Sequence, residues 1–229
     1  LYDQVSYTHR RNWANGHENQ DGPAENFSSN CGHEGDEAVP PAVLKRRIRL
    51  AKNFCCLLFL ANGTPMFLMG DEFLQTQGGN NNPYNQDNKT TWLDWSRLDR
   101  HTDFFRFFSL MIAFRKAHPT LCRSRFWRDD IHWYGAGKEV AMSWDSSHLA
   151  YCLRGNAVSD DDLYVMINNQ SYDMVFTIQD RSDHIWMRAI DTALQSPMDI
   201  LEPGTEQPVH SKTYLVKARS IVVLLRRSN

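Results

Sequence analysis

Apolar residues recur at alternating spacings of four and three from Leu44 through Ile48, Ala51 and Cys55 to Leu58. That is the period of a helix burying one stripe, and it predicts a helix over residues 42–61. Pro40 and Pro41 precede it, where proline is tolerated, and Gly63 suits its exit. Lys45, Arg46, Arg49 and Lys52 fall mainly off the stripe. A second stripe, Phe104, Phe107, Met111 and Phe114, widened by Phe105, Phe108 and Ile112, predicts a helix over 102–117 that His118-Pro119 ends. Between the two lies TPMFLM, residues 64–69, bounded by Gly63 and Gly70. A short unbroken apolar run of this kind reads as a strand buried on both faces of a parallel sheet. Residues 1–41 and 74–101 are polar and show little periodicity. Stretches this long without regular structure are either disordered or long functional loops.

The pattern changes after about residue 122. Short apolar runs at 139–144, 148–153, 162–168, 173–178, 185–191, 213–217 and 220–226 are separated by turn signals such as Asp160-Asp161-Asp162 and Asn168-Asn169. Runs without a helical period predict an antiparallel sandwich. Helix, buried strand, loop and helix before it have the rhythm of an α/β barrel or a doubly wound sheet. The boundary falls near 119–126, giving a first domain over 1–122 and a second over 123–229.

The chain of 229 residues is 41% apolar and 23% charged with a formal net charge of -2. It can bury a sizeable core, and it carries no strong field to favour nucleic acid or an anionic membrane. No apolar run reaches the roughly 18 residues of a membrane span. Five cysteines without CxxC spacing argue against a disulfide framework or a structural zinc site and point weakly to a reducing compartment. Cys55 and Cys56 read as core thiols. The nine His show no paired-ligand spacing, and no phosphate-binding glycine loop occurs. No metal and no cofactor is expected.

Two stretches could carry chemistry. NWANGHENQDGPAENFSSNCGHEG, residues 12–35, mixes amides, carboxylates and one Trp. QGGNNNPYNQDN, residues 77–88, supplies Asn80, Asn81, Asn82, Asn85 and Asn88 beside Tyr84. Amides and carboxylates suit ligand hydroxyls, and aromatic faces suit the apolar side of a sugar ring. The bland alternative is a flexible surface loop in the first case and Asn residues bonding their own backbone in the second. The WLDW at 92–95 reads more as core than as platform. Asp71 and Glu72 follow TPMFLM directly. On an extended backbone, neighbours point to opposite sides, so a supporting role outranks direct catalysis. The residues alone reach the end of an α/β domain plus a sandwich, and no reaction.

The ordered motifs reach further. LYDQVSYTHRRNWANGHENQDGPAENFSSNCGHEG resembles the isoamylase-type segment that follows the fourth conserved region of the α-amylase superfamily. KRRIRLAKNFCCLLFLANGTPMFLMGDEFLQTQGGNNNPYNQDNKTTWLDW resembles the continuation of that segment. WMRAIDTALQSPMDILEPG with TYLVKARSIVVLLRR is similar to the C-terminal sandwich of bacterial glycogen debranching proteins. NGHENQDG, GDE and GNNNPYNQDN in this order are specific together and moderate singly.

The resemblance implies the C-terminal end of a (β/α)8 barrel followed by an antiparallel β-sandwich. TPMFLM would be the eighth strand, and the loops at 12–35 and 70–95 would cluster on the catalytic rim. This placement requires the two loops to be close and residues 64–69 to lie in a parallel β-arrangement. The implied activity is retaining hydrolysis of α-1,6 branches in glycogen or starch-like glucan, by an Asp nucleophile and a Glu acid/base with carboxyls roughly 5–5.5 Å apart. Both, and a stabilising Asp in a His-Asp-Gly motif, would lie upstream of Leu1, so no catalytic residue is assigned here. Glu18, Asn19, Asp21, Asp71, Glu72, Asn80, Asn81, Asn82, Tyr84 and Asp87 match the family's loops and would support or contact glucan. Trp13, Leu74 and Asn85 depart from its usual Glu, Gly and Cys. The implied partners are branched α-glucan and the missing barrel portion, in the cytoplasm or a plastid stroma. The competing readings are a non-catalytic glucan- or partner-binding module and a related hydrolase or transferase of the same superfamily.

Overall fold

The computed structural model describes residues 1–140, 146–179 and 185–227. It divides into two compact units, 1–54 with 66–108 and 55–65 with 109–229. The units do not follow a single cut, because helices α1 (Pro41–Leu60) and α3 (Thr102–Ala117) each contribute to both.

The first unit has no strand among its described residues. It consists of long ordered loops, three short 3-10 turns, the short helix α2 (Ser96–Arg100) and parts of α1 and α3. Buried cations organise it. Arg47 on α1 is fully buried, and its guanidinium donates to Gly35 O at 2.8 Å, to Asn30 O at 3.1 Å, to His33 O and to the Tyr2 hydroxyl. A delocalised, rigid fork suits this better than any apolar side chain, because three carbonyls of one loop and the Tyr2 hydroxyl converge on it. Arg97 on α2 lies over the Tyr2 ring and donates to Leu74 O at 2.6 Å and Asp36 Oδ2 at 2.7 Å, while Tyr2 donates to Asp36 Oδ1 at 2.6 Å.

The second unit is sheet-built. Strands β1 (Ile131–Tyr134), β2 (His148–Leu153), β3 (Asp162–Asn168), β5 (Trp186–Asp191), β6 (Gln207–Val209) and β8 (Ser220–Arg226) form one antiparallel sheet in the order β1-β2-β3-β8-β5-β6. Strands β4 (Met174–Thr177) and β7 (Thr213–Val216) form a second. Ala150, Cys152, Tyr164, Met166, Trp186, Val222 and Leu224 pack between the sheets with Phe176 and Val216. The alternate residues Leu163, Val165, Val223 and Leu225 are also buried. Both faces of the central strands are therefore covered, which is why β3 and β8 read as continuous apolar runs.

Several expectations are met. The two long helices, and strands near the predicted runs from 148 onward, are present, and Phe104, Phe107, Met111 and Phe114 are each buried. Others are corrected. Residues 64–69 belong to no strand, and Met66, Leu68 and Met69 are exposed. A parallel strand is defined by its neighbours, and no strand in this unit offers a ladder. The condition set for residues 64–69 is thus not met within this chain. The stripe on α1 is rotated: Arg47, Ala51, Lys52, Cys55, Cys56, Phe59 and Leu60 are buried, while Phe54 and Leu57 are exposed. Trp92 and Trp95 are surface residues, not core. Of the run expected at 139–144, residues 141–144 lie outside the described residues, and 139–140 form no strand. Strands β1 and β6 and helix α2 were not anticipated. Pro208 masks β6, which tolerates it as an edge strand.

Candidate functional site

The site is built from side-chain amides. Asn12 is fully buried. Its backbone N–H donates to Asn19 Oδ1 at 2.7 Å, and its Nδ2 donates to Asp21 O and Asn81 Oδ1, both at 2.8 Å. Its Oδ1 accepts the Asn81 backbone N–H at 3.0 Å. Asn12 and Asn81 therefore pair reciprocally, 69 residues apart. Asn15 Nδ2 donates to Asp21 Oδ2 at 2.6 Å and to Asn82 O at 2.7 Å, and Asn15 Oδ1 accepts from Asn80 Nδ2 at 2.8 Å. Asn82 Nδ2 closes the ring on Asp21 Oδ2 at 2.9 Å. Asn81 Nδ2 reaches Asn26 Oδ1 at 2.8 Å.

Local chain geometry permits this contact. Gly22 has a φ of +72°, and a Cβ there would lie 2.6 Å from Asn81 Oδ1. At Gly79, with φ +81°, a Cβ would lie 2.5 Å from the Tyr7 ring. Neither position can carry a side chain without breaking the approach of the loops. Further links are Arg11 N–H to Gly79 O at 2.9 Å and Gln77 N–H to Asp3 Oδ2 at 2.9 Å, beside the Thr76 hydroxyl on Asp3 Oδ1. The two polar stretches that the sequence singled out are thus one body.

Charge follows the same bonds. The Asn15 and then the Asn82 amide hold the Asp21 carboxyl below its usual range. Burial pushes the Asp3 carboxyl up, against the Thr76 and Gln77 donors. Burial also pushes Glu34 up, but the Thr8 backbone and hydroxyl, Asn30 and the His9 backbone outweigh it and hold that carboxyl at about 2.

The expected site residues separate into groups. Asn19, Asp21, Asn80, Asn81 and Asn82 lie in the amide lattice. Asp71 and Glu72 open a 3-10 turn, and each carboxylate accepts a nearby backbone N–H, from Leu68 to Asp71 at 3.0 Å and from Gly70 to Glu72 at 2.9 Å. Asp71 also borders a cavity of about 520 Å³ with Asp3, Phe27, Asn80 and Asn81. Glu18 and Tyr84 are exposed, and Asp87 bonds only Trp92 among its described contacts. Asn12, Asn15 and Asn26 were not singled out. Their signal was the amide density of the segment, which marks a lattice without saying which members are buried. Among the described residues, no group of three or more His, Cys, Asp or Glu side chains is arranged to hold a metal.

Residues 132–225 match the family described as Isoamylase 1-3, C-terminal. The chain is 38% identical to isoamylase 3, chloroplastic, of Oryza sativa subsp. japonica over 98% of its own length and 28% of that protein's. It is 32% identical to a glycogen operon protein GlgX homolog of Mycobacterium bovis over 98% of its own length and 34% of that protein's. Its fold is similar to a type I pullulanase of Bacillus subtilis solved with maltose, with a TM-score of 0.63 and 21% identity over 83% of this chain and 24% of that one. The chain therefore spans about a third or less of these relatives. No helix among the described residues is long and apolar enough to cross a membrane. Along nearly its whole length the chain is similar to a chloroplastic isoamylase and to a glycogen operon protein GlgX homolog, and its residues 132–225 belong to the isoamylase-type C-terminal family.

Proposed function

We propose that the chain is the C-terminal portion of a glycoside hydrolase that cleaves α-1,6 branch linkages in glycogen or starch-like α-glucan with retention. In this reading residues 1–122 close a (β/α)8 barrel and 123–229 form its C-terminal sandwich. The observation that carries it is the amide lattice joining residues 12–26 to 80–82 beside the 520 Å³ cavity. A barrel rim builds its site from loops that follow different strands, and these loops are fastened as such a rim requires. Exposed Phe54, Met66, Leu68 and Met69 support it too, since large apolar side chains left in solvent are expected where a further part of a barrel packs. The likeness to pullulanase over 83% of the chain extends beyond the 132–225 domain.

The division of labour follows from hydrogen-bond occupancy. Nucleophile and acid/base must face one glycosidic oxygen and carbon from opposite sides. Asp71 accepts Leu68 N–H on one oxygen and the Leu1 ammonium on the other, and Glu72 accepts Gly70 N–H, so these carboxylates shape the rim. Asn19, Asp21, Asn80, Asn81 and Asn82 hold the loops in place, while Glu18, Tyr84 and Asp87 lie outward, where hydroxyls and ring faces can reach them. The cutting carboxylates belong to the barrel portion upstream. The setting is the cytoplasm or a plastid stroma, in line with the chloroplastic relatives.

Product analysis tests this. A polypeptide extended upstream through the barrel should release linear α-glucan chains from glycogen, with the anomeric configuration retained, and the 229-residue chain alone should release none. Cleavage by the chain alone, or none by the extended protein, would overturn the reading.

A further inference from the structure

We infer that Trp92 is the stacking platform of a second α-glucan groove, next to the cavity bordered by Asp71 but not within it. The inference rests on the glucan reading above. A groove of about 620 Å³ is lined by Arg11, Ala14, Gln77, Lys89, Trp92 and Asp94 among others. It shares Gln75, Gln77 and Asn80 with the cavity.

Trp92 is 57% exposed, yet it is fixed at both backbone and side chain. Its indole Nε1–H donates to Asp87 Oδ1 at 2.8 Å. Its backbone N–H donates to Asn88 O at 2.9 Å, and its carbonyl accepts from Gln75 Nε2 at 3.0 Å. The other end of that same amide, Gln75 Oε1, accepts the Asp94 N–H at 3.0 Å. Asp87, expected as a glucan contact, thus acts first as the anchor of the ring.

A large aromatic held still in solvent has already lost the freedom that binding would otherwise cost. Its one polar edge is occupied by Asp87, so what it offers a ligand is an apolar face. The same groove is lined by Arg11, Gln77 and Lys89, whose side chains carry hydrogen-bonding groups. A lipid or an apolar peptide would need more apolar wall than Trp92, Leu93 and Ala14 supply. A pyranose ring, apolar on its face and hydroxylated around its rim, matches both features. The occupant is a linear stretch of α-glucan, and the groove would hold an outer chain while a branch point lies at the cavity.

Titration of the 229-residue chain with maltoheptaose, followed by calorimetry and by the indole N–H resonances, tests this. The Trp92 resonance is identified by its absence in Trp92→Phe. Binding should shift that resonance, and Trp92→Ala should weaken affinity about tenfold, with Asp87→Ala weaker by a smaller factor. Trp133→Ala, on a sandwich strand, should leave affinity unchanged. If maltoheptaose binds while the Trp92 resonance stays still and Trp92→Ala binds as well as the parent, the groove is wrong and the glucan reading survives. If maltoheptaose does not bind at all, the groove is wrong, while hydrolysis by the extended polypeptide still decides the glucan reading independently.

Discussion

The two units of this chain hold themselves together by opposite means. The second spends its apolar residues on a six-stranded sheet faced by a two-stranded one, with Tyr164, Phe176 and Trp186 packed between. The first has no strand among its described residues. It relies on Arg47 and Arg97, which bond loops to helices, and on the Asn12–Asn81 lattice, which bonds loops to loops. An apolar core tolerates sliding and repacking, because dispersion has no direction. A polar lattice fixes each loop to within a hydrogen-bond length, and a buried group left without its partner costs about 1–3 kcal/mol. Binding surfaces need that kind of placement. The unit that should position substrate is the one stabilised by direction, and the unit that resembles a domain of many relatives is the one stabilised by burial.

Perturbing each unit where it is strongest should show the largest contrast. Phe176→Ala opens a cavity between the sheets and should cost about 3–5 kcal/mol, read as a lowered urea midpoint for the sandwich. Hydrogen exchange of the Asn12 and Asn81 segments should be unaffected; equal loosening there would erase the distinction. Arg47→Met keeps the volume but abandons the carbonyls of Asn30, His33 and Gly35, and should cost about 3 kcal/mol. The loss should appear as exchange in residues 30–36, whereas an unchanged exchange pattern would mean the cation is incidental.

Much of the second unit was legible in the sequence. Runs such as Asp162–Asn168 and Ser220–Arg226 carry their own strand signal, because burial on both faces leaves an unbroken apolar stretch. Ile131–Tyr134 was missed for its His132 and exposed Trp133, features of an edge strand at the end of the sheet. In the first unit only the two long helices were legible. Periodicity reports burial of apolar faces, and it is silent when Arg47 is the most buried residue of its helix turn. The amide-rich stretches were visible as candidates. That Asn12 would be buried while Glu18 stays exposed depends on a partner 69 residues away, which no local pattern encodes. Thr64–Met69 carried a strand's composition without the neighbouring strands that make one.

Mild acid should reach the first unit through His101, while the lowered Asp160 and Asp162 carboxyls give the second unit its own loss at lower pH. Glu34 is held at about 2 in the folded chain against about 4.3 unfolded, so its contribution is present above the unfolded value and lost as pH falls through the folded one. His101 is lowered to about 4 by burial and then by the Arg97 and Arg100 charges, against about 6.5 unfolded. It too favours the folded unit above the unfolded value, and that advantage declines between about pH 6.5 and 4. Stability of the first unit should therefore fall from about pH 6.5 downward, and His101→Gln should flatten the upper part of that fall. An unchanged slope in that variant would show that the histidine is not the titrating group.

The decisive measurement is a double-mutant cycle on Asn12 and Asn81. Stability is determined for Asn12→Ala, Asn81→Ala and the pair together. A lattice that fuses the two polar stretches predicts strong non-additivity, with a coupling of about 1 kcal/mol or more between residues far apart in sequence. Effects that add to within about 0.3–0.5 kcal/mol would contradict it, leaving two loops that lie side by side without forming one surface.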